Sequence, residues 1–175
     1  ERISSTNERA KELAVGGCPE GQLVVAEEQT AGKGRLGRSW ISPFAEGLFM
    51  SLVLRPPVPP REAPKFTLLA AVAVQRAVAE LCGLEPVIKW PNDIELAGKK
   101  MCGILVELGT EMDAINYVIL GIGVNANVDM SRLPADVKER ATSIKAELGR
   151  PVDRVALLTS ILQYIEALYD EVLRS

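Results

Sequence analysis

The tightest constraint on this chain lies in its middle third, where apolar segments follow one another with only short turns between them. Residues 87–90 read as a short strand, 94–96 and 100–108 as a hairpin turning at Ala97-Gly98, 109–113 as a second turn, and 117–124 as a strongly apolar central strand ending at Asn125-Ala126-Asn127. Connections this short leave no room for a crossover helix, so neighbouring strands run antiparallel. Upstream, residues 23–28 and 47–55 form two more strands around a glycine-rich basic stretch at 29–40. A proline loop over 56–64 leads into a long apolar helix from about 65 to 82, closed by Gly83. A helical pattern starts at Ser5, reaches Leu13 and stops at Gly16-Gly17, with Ser5 and Glu8 at capping-box spacing. Helices are expected again over about 135–148 and 152–173, the second with Val155, Leu158, Ile161, Leu162, Ile165 and Leu168 at helical spacing. Strand–helix alternation is missing. The expected class is therefore α+β, a mixed, largely antiparallel sheet with flanking helices, in a single domain over residues 1–175.

Histidine is absent from all 175 residues. That removes Ser-His-Asp and Cys-His catalysis, histidine-ligated zinc and histidine as general base. Any chemistry runs on Lys, Arg, Asp, Glu, backbone amides or a metal held by oxygen. Net charge is 20 − 23 = −3, a poor balance for nucleic-acid binding, which draws on basic charge to displace counterions. Cys18, Cys82 and Cys102 are odd in number and lack metal or redox spacing, so free thiols in a reducing cytoplasm are expected. No apolar run has the length of a membrane span, and the opening Glu1-Arg2-Ile3-Ser4-Ser5 lacks the apolar core of a signal peptide. The chain begins without Met, which suits a fragment or a trimmed form.

Four segments carry residues suited to chemistry. Gly32-Lys33-Gly34-Arg35-Leu36-Gly37-Arg38 matches the dinucleotide pattern G-x-G-x-x-G, but Trp40, Ser42 and Pro43 follow where a helix should open. What survives is a loop with three cations and many free amides, suited to phosphate or to a plain solvated turn. In Lys89-Trp90-Pro91-Asn92-Asp93-Ile94, proline stiffens a strand end that presents Asn92 and Asp93, although a turn would choose the same residues. In Lys99-Lys100-Met101-Cys102-Gly103-Ile104-Leu105-Val106-Glu107, a cation precedes an apolar strand containing a glycine, a common mark of close approach by a ligand or a backbone. In Gly121-Ile122-Gly123-Val124-Asn125-Ala126-Asn127, two glycines weaken a buried strand unless something needs the space, and Asn125 stands at its end.

Taken in order, these segments resemble biotin–protein ligases across nearly the whole chain. The matching pieces are Ser5-Thr6-Asn7, Glu28-Gln29-Thr30-Ala31-Gly32-Lys33-Gly34-Arg35-Leu36-Gly37-Arg38-Ser39-Trp40, Ser42-Pro43, Lys89-Trp90-Pro91-Asn92-Asp93, Lys100-Met101-Cys102-Gly103-Ile104-Leu105-Val106-Glu107 and Gly121-Ile122-Gly123-Val124-Asn125. The resemblance implies a fold related to class II aminoacyl-tRNA synthetases. It implies ATP-dependent activation of biotin to biotinyl-5'-AMP, with Mg2+, and transfer to a lysine of an acceptor, the biotin carboxyl carrier domain of a carboxylase. It further implies that Ser5, Thr6 and Gln29 bind the ureido head of biotin, with Asn7, Gly34 and Gly103 completing that site. Gly32, Lys33 and Arg35 would cover carboxylate and phosphate, and Lys100 would bridge the two. Arg38, Trp40, Asn92 and Asn125 would serve the nucleotide. Lys100, Arg35 and Asp93 form the implied catalytic group, Asp93 accepting a proton or organising Mg2+; the metal ligands stay unassigned.

Lys33 and Leu36 stand where many relatives carry arginine, and lysine gives charge without a bidentate fork. The helix-turn-helix domain and the small C-terminal β-barrel of larger relatives are not expected here, so neither is DNA binding. An exposed strand edge suits either a homodimer or the acceptor. Two other readings compete. A lipoate or octanoate ligase of the same fold should carry a histidine signature that this chain lacks. A non-catalytic biotin-binding module would have no use for the full set of cations.

Overall fold

The computed structural model describes residues 1–111 and 114–174, the side chain of Arg174 excepted. Its strands are β1 (Arg2–Ile3), β2 (Leu23–Ala26), β3 (Glu28–Gln29), β4 (Leu48–Leu54), β5 (Val87–Lys89), β6 (Asp93–Leu96), β7 (Lys99–Glu111) and β8 (Ala114–Val124). The helices are α1 (Thr6–Val15), α2 (Ala63–Cys82), α3 (Ala135–Lys138), α4 (Ile144–Leu148) and α5 (Arg154–Arg174). Six strands form one sheet in the order β2-β4-β8-β7-β6-β5, and every neighbouring pair is antiparallel. β1 and β3 form a separate parallel pair. The α+β expectation holds, as does the hairpin at Ala97-Gly98, where both residues adopt positive φ.

Side-chain alternation gives each central strand two different faces. Leu48, Met50, Leu52 and Leu54 of β4, with Val118, Leu120, Ile122 and Val124 of β8, belong to the main core beneath α2 and α5. Val53, Tyr117 and Ile119 point the other way and pack against Ala10 and Ala14 of α1. α2 is rich in alanine, has proline in its first turn and ends at left-handed Gly83 (φ 65°). α5 starts where Asp153 Oδ1 accepts the amides of Val155 (2.8 Å) and Ala156 (3.1 Å), an N-cap worth about 1 kcal/mol. No helix among the described residues is long and apolar enough to cross a membrane.

Three local expectations fail. The helix expected over 135–148 is broken into α3 and α4, because residues 140–142 pair with the start of β7: Lys100 N donates to Arg140 O and Thr142 N to Lys100 O, both at 2.9 Å. Tertiary pairing overrides the helical pattern, and Ser143 then caps α4 through Ala146 N at 3.2 Å. The capping box at α1 does not form, since Ser5 makes no side-chain cap and Glu8 pairs with Lys33. Of the expected second turn, Gly109–Glu111 belongs to β7, where Gly109 opposes Tyr117 and a Cβ would lie 2.2 Å from the Tyr117 ring. Met112 and Asp113 lie outside the described residues.

Candidate active site

The face of the sheet that carries α1 has a hollow beside it. Gly121 pairs with Ser51 on one side and Leu105 on the other, and Gly123 pairs with Phe49 and Gly103. Three glycines and a serine thus share a patch where the opposite face shows leucine and isoleucine. Two groups fill the missing side-chain space. A Cβ on Gly121 would lie 2.0 Å from Asn7 Oδ1, and on Gly123 or Gly103 it would lie 2.9 or 2.8 Å from the Trp40 ring. The glycines weaken the strand so that an amide and an indole can lie flat on it.

A cleft of about 450 Å³, including its open mouth, lies over this patch. α1 contributes its N-terminal end, Ser5, Thr6 and Asn7, of which all three are buried. The basic loop contributes Lys33, Gly34, Arg35 and Trp40, the strands contribute Gln29, Lys100 and Gly103, and the turn before β6 contributes Asn92. The loop is folded, not slack. Trp40 N donates to Gly32 O at 2.8 Å and Gly34 N to Arg38 O at 2.7 Å, while Leu36 (φ 57°) and Gly37 (φ 73°) make its left-handed tip. Gly32 has no room for a Cβ, which would lie 2.5 Å from Trp40 O.

Lys100 reaches the cleft because of a β-bulge. Ile94 pairs with Cys102 but Glu95 pairs with Lys100, so Met101 is the extra residue. Met101 and Cys102 both sink into the core, and Lys100 emerges on the same face as Gly103. Its Nζ lies 2.7 Å from Asp93 Oδ1 and 5.3 Å from the Trp40 ring centroid, within cation–π range. Arg35 Nη1 donates to Asn92 Oδ1 at 3.1 Å, and Asn92 Nδ2 to Ile104 O at 3.1 Å. Lys33 pairs with Glu8; their hydrogen bond holds the Glu8 carboxyl below its usual range and lifts the Lys33 ammonium above its own. Each cation of the cleft is thus engaged by a carboxylate or amide that a more charged ligand would replace. The Trp40 Nε1 donor is buried without a partner, a deficit of about 1–3 kcal/mol that an acceptor on a ligand would relieve. Burial pushes the Cys102 thiol up, so it is no nucleophile.

The floor of the cleft is a chain of polar groups. Gln29 Oε1 accepts from Thr6 N at 2.8 Å and lies 3.0 Å from Thr6 Oγ1, while Gln29 Nε2 donates to Ser42 Oγ at 3.0 Å. Ser51 Oγ lies 2.8 Å from Thr6 Oγ1 and donates to Asn7 Oδ1 at 2.6 Å. Asn7 Nδ2 donates to Glu107 Oε2 at 2.7 Å and is aimed at Leu105 O at 3.4 Å.

Most residues singled out from sequence meet here, and four do not line the cleft. Gly32 is buried beneath its loop, against Trp40 O. Arg38 is exposed, and its backbone closes the loop by accepting from Gly34 N. Asp93 stands behind Lys100 as its ion-pair partner. Asn125 is buried, and its Nδ2 donates to Thr142 O at 3.0 Å, which ties the end of β8 to the segment bracing Lys100. Sequence reading also missed Ser51, Glu107 and Glu8 as members of the site. For Ser51 and Glu107 the only sequence signal was a polar residue among apolar strand neighbours, and Glu8 stands among other polar residues of α1.

The fold is that of an α+β protein with a glycine-floored, cation-rimmed cleft on one face of an antiparallel sheet. The chain belongs to the Biotin/lipoate A/B protein ligase family, which it matches over residues 1–125. It is 46% identical over 167 residues to the bifunctional ligase/repressor BirA of Bacillus subtilis, covering 95% of this chain and 51% of that protein. It is 38% identical over 159 residues to the biotin–[acetyl-CoA-carboxylase] ligase of Paracoccus denitrificans, covering 87% and 64%. Its structure is similar to that of the biotin protein ligase from Aquifex aeolicus in complex with biotin and ATP, with a TM-score of 0.80 and 32% identity over 99% of this chain and 68% of that one. The chain spans about half the length of the Bacillus relative.

Proposed function

We propose that residues 1–175 are the catalytic domain of a biotin–protein ligase, which joins biotin to AMP and then to a lysine of a biotin carboxyl carrier domain in the cytoplasm. The observation that carries this reading is the convergence of Lys33, Arg35 and Lys100 on a single cleft whose floor is a hydrogen-bonding chain. In the first step a biotin carboxylate oxygen attacks the α-phosphorus of ATP and pyrophosphate leaves. Two anions must meet, and fixed cations lower that barrier by stabilising charge that spreads over the phosphoryl oxygens. Lys100 exchanges Asp93 for the carboxylate and α-phosphate, and Arg35 exchanges Asn92 for phosphate. Thr6 and Gln29 hold the ureido ring, and Trp40 lies flat beside the reacting groups. In the second step the acceptor amine attacks the acyl carbon, its proton is lost and AMP leaves. Asp93, released by Lys100, would take that proton.

Among the described residues no group of three or more acids or thiols is placed to hold a metal. Mg2+ would arrive with the triphosphate, held chiefly by its phosphates.

The test is mass spectrometry of the chain after mixing with biotin and Mg·ATP. Bound biotinyl-AMP and released pyrophosphate are expected. Biotin binding with no pyrophosphate released would leave a binding module and sink the catalytic reading.

A further inference from the structure

The polar chain on the cleft floor can be counted proton by proton. At one end, the Glu107 carboxylate offers only lone pairs, so the Asn7 group 2.7 Å away must be Nδ2. Asn7 therefore shows an acceptor, Oδ1, to Ser51. At the other end, Gln29 Oε1 already takes the Thr6 amide at 2.8 Å, so this group is an acceptor too. Between the two acceptors run three oxygen–oxygen contacts: Asn7–Ser51 at 2.6 Å, Ser51–Thr6 at 2.8 Å and Thr6–Gln29 at 3.0 Å. Two hydroxyl protons, those of Ser51 and Thr6, serve them. The two shorter contacts hold the protons. The longest is left with two acceptors facing each other, on two residues that line the cleft.

We infer that Glu107 is a specificity-determining positioning residue: it fixes the polarity of this chain, leaves the floor one proton short, and so selects a ring that donates an N–H between Thr6 Oγ1 and Gln29 Oε1. The inference rests on the biotin reading above, because the cyclic urea of biotin has such an N–H. A dithiolane or hydrocarbon ring has none and leaves the acceptor pair unbridged. Glu107 acts through Asn7 and Ser51. The opposing strand suits it, since Glu107 pairs with Ile119 on the face where α1 packs.

Two variants test this independently. Glu107→Gln can present an N–H to Asn7, whose amide then turns over and reverses the chain, so that three protons serve three contacts. Ser51→Ala removes the middle hydroxyl and releases the Thr6 proton to Gln29. The measurement is the dissociation constant, by calorimetry on the full chain, for biotin and for its cyclic carbamate isosteres, in which a ring oxygen replaces one ureido N–H. The wild type is expected to reject the less tolerated isostere by about 100-fold, the scale set by an unmatched buried polar group. Either variant should shrink that ratio below about 10-fold and leave affinity for an ATP analogue within about twofold. If Glu107→Gln does not fold, Ser51→Ala decides. A ratio kept at the wild-type value overturns the proposal, and so does an equal loss of both ligands, the mark of a purely structural role. Wild-type biotin binding with a ratio near one overturns the proton count alone. No biotin binding at all by the wild type overturns the biotin reading and this inference with it.

Discussion

On one face of the central strands, Leu52, Leu54, Val118 and Leu120 are buried beneath α2 and α5. On the other face, the intervening positions of the same strands carry Ser51, Gly121 and Gly123, covered by Asn7 and Trp40. The first face holds the fold together by apolar area, at roughly 25 cal/mol per Å² removed from water. The second gives up that area for a hollow lined by hydrogen-bonding groups and rimmed by cations. Two faces one residue out of phase let the same strands be both core and site, and the division predicts which substitutions separate stability from activity.

The largest stability effect should come from the core face. Leu120 is fully buried, and Leu120→Ala should lower the unfolding free energy by about 2–5 kcal/mol, read by denaturant titration. Pyrophosphate release per folded molecule should stay near wild type; a selective loss of turnover would blur the division. On the site face, Lys100→Ala should cost about 3 kcal/mol of transition-state stabilisation with little change in unfolding. Near-wild-type pyrophosphate release in that variant would remove Lys100 from the mechanism. Gly121→Ala sets a Cβ against Asn7 Oδ1, which lies 2.0 Å from the ideal Cβ position. It should cost about 1–3 kcal/mol by overpacking and weaken biotin binding more than ATP binding, a contrast that calorimetry resolves. The smallest effect belongs to the exposed pair of Glu8 and Lys33. The Glu8 carboxyl is held down by Lys33, so its stabilisation is present above the usual carboxylate range and fades as pH falls through the lowered value. Glu8→Gln should cost under about 1 kcal/mol at neutral pH. Its melting temperature should converge on that of the wild type in acid, and a gap that widens there would reverse the assignment.

Much of the site was legible because its cations and glycines cluster in short segments whose composition makes little sense as core. The glycines of β8 are the plainest case: a buried strand with no side chain at two alternate positions announces a neighbour, although not which one. Asn125 shows the limit. From sequence it stands at a strand end like a ligand reader, and only the path of residues 140–144 reveals the carbonyl it serves. Lys100 shows the opposite failure, since strict alternation would not place it and Gly103 on one face, and the bulge at Met101 does.

The amino-acid order alone determined the antiparallel strands, the long helices and the segments rich in charge or glycine, because turns, periodicity and caps depend on neighbours a few residues apart. The tertiary structure decided which groups are free to meet a ligand. Asn7 finds Glu107 across 100 residues and Ser51 across 44, and partners that distant are chosen by strand register and packing, which no local window contains.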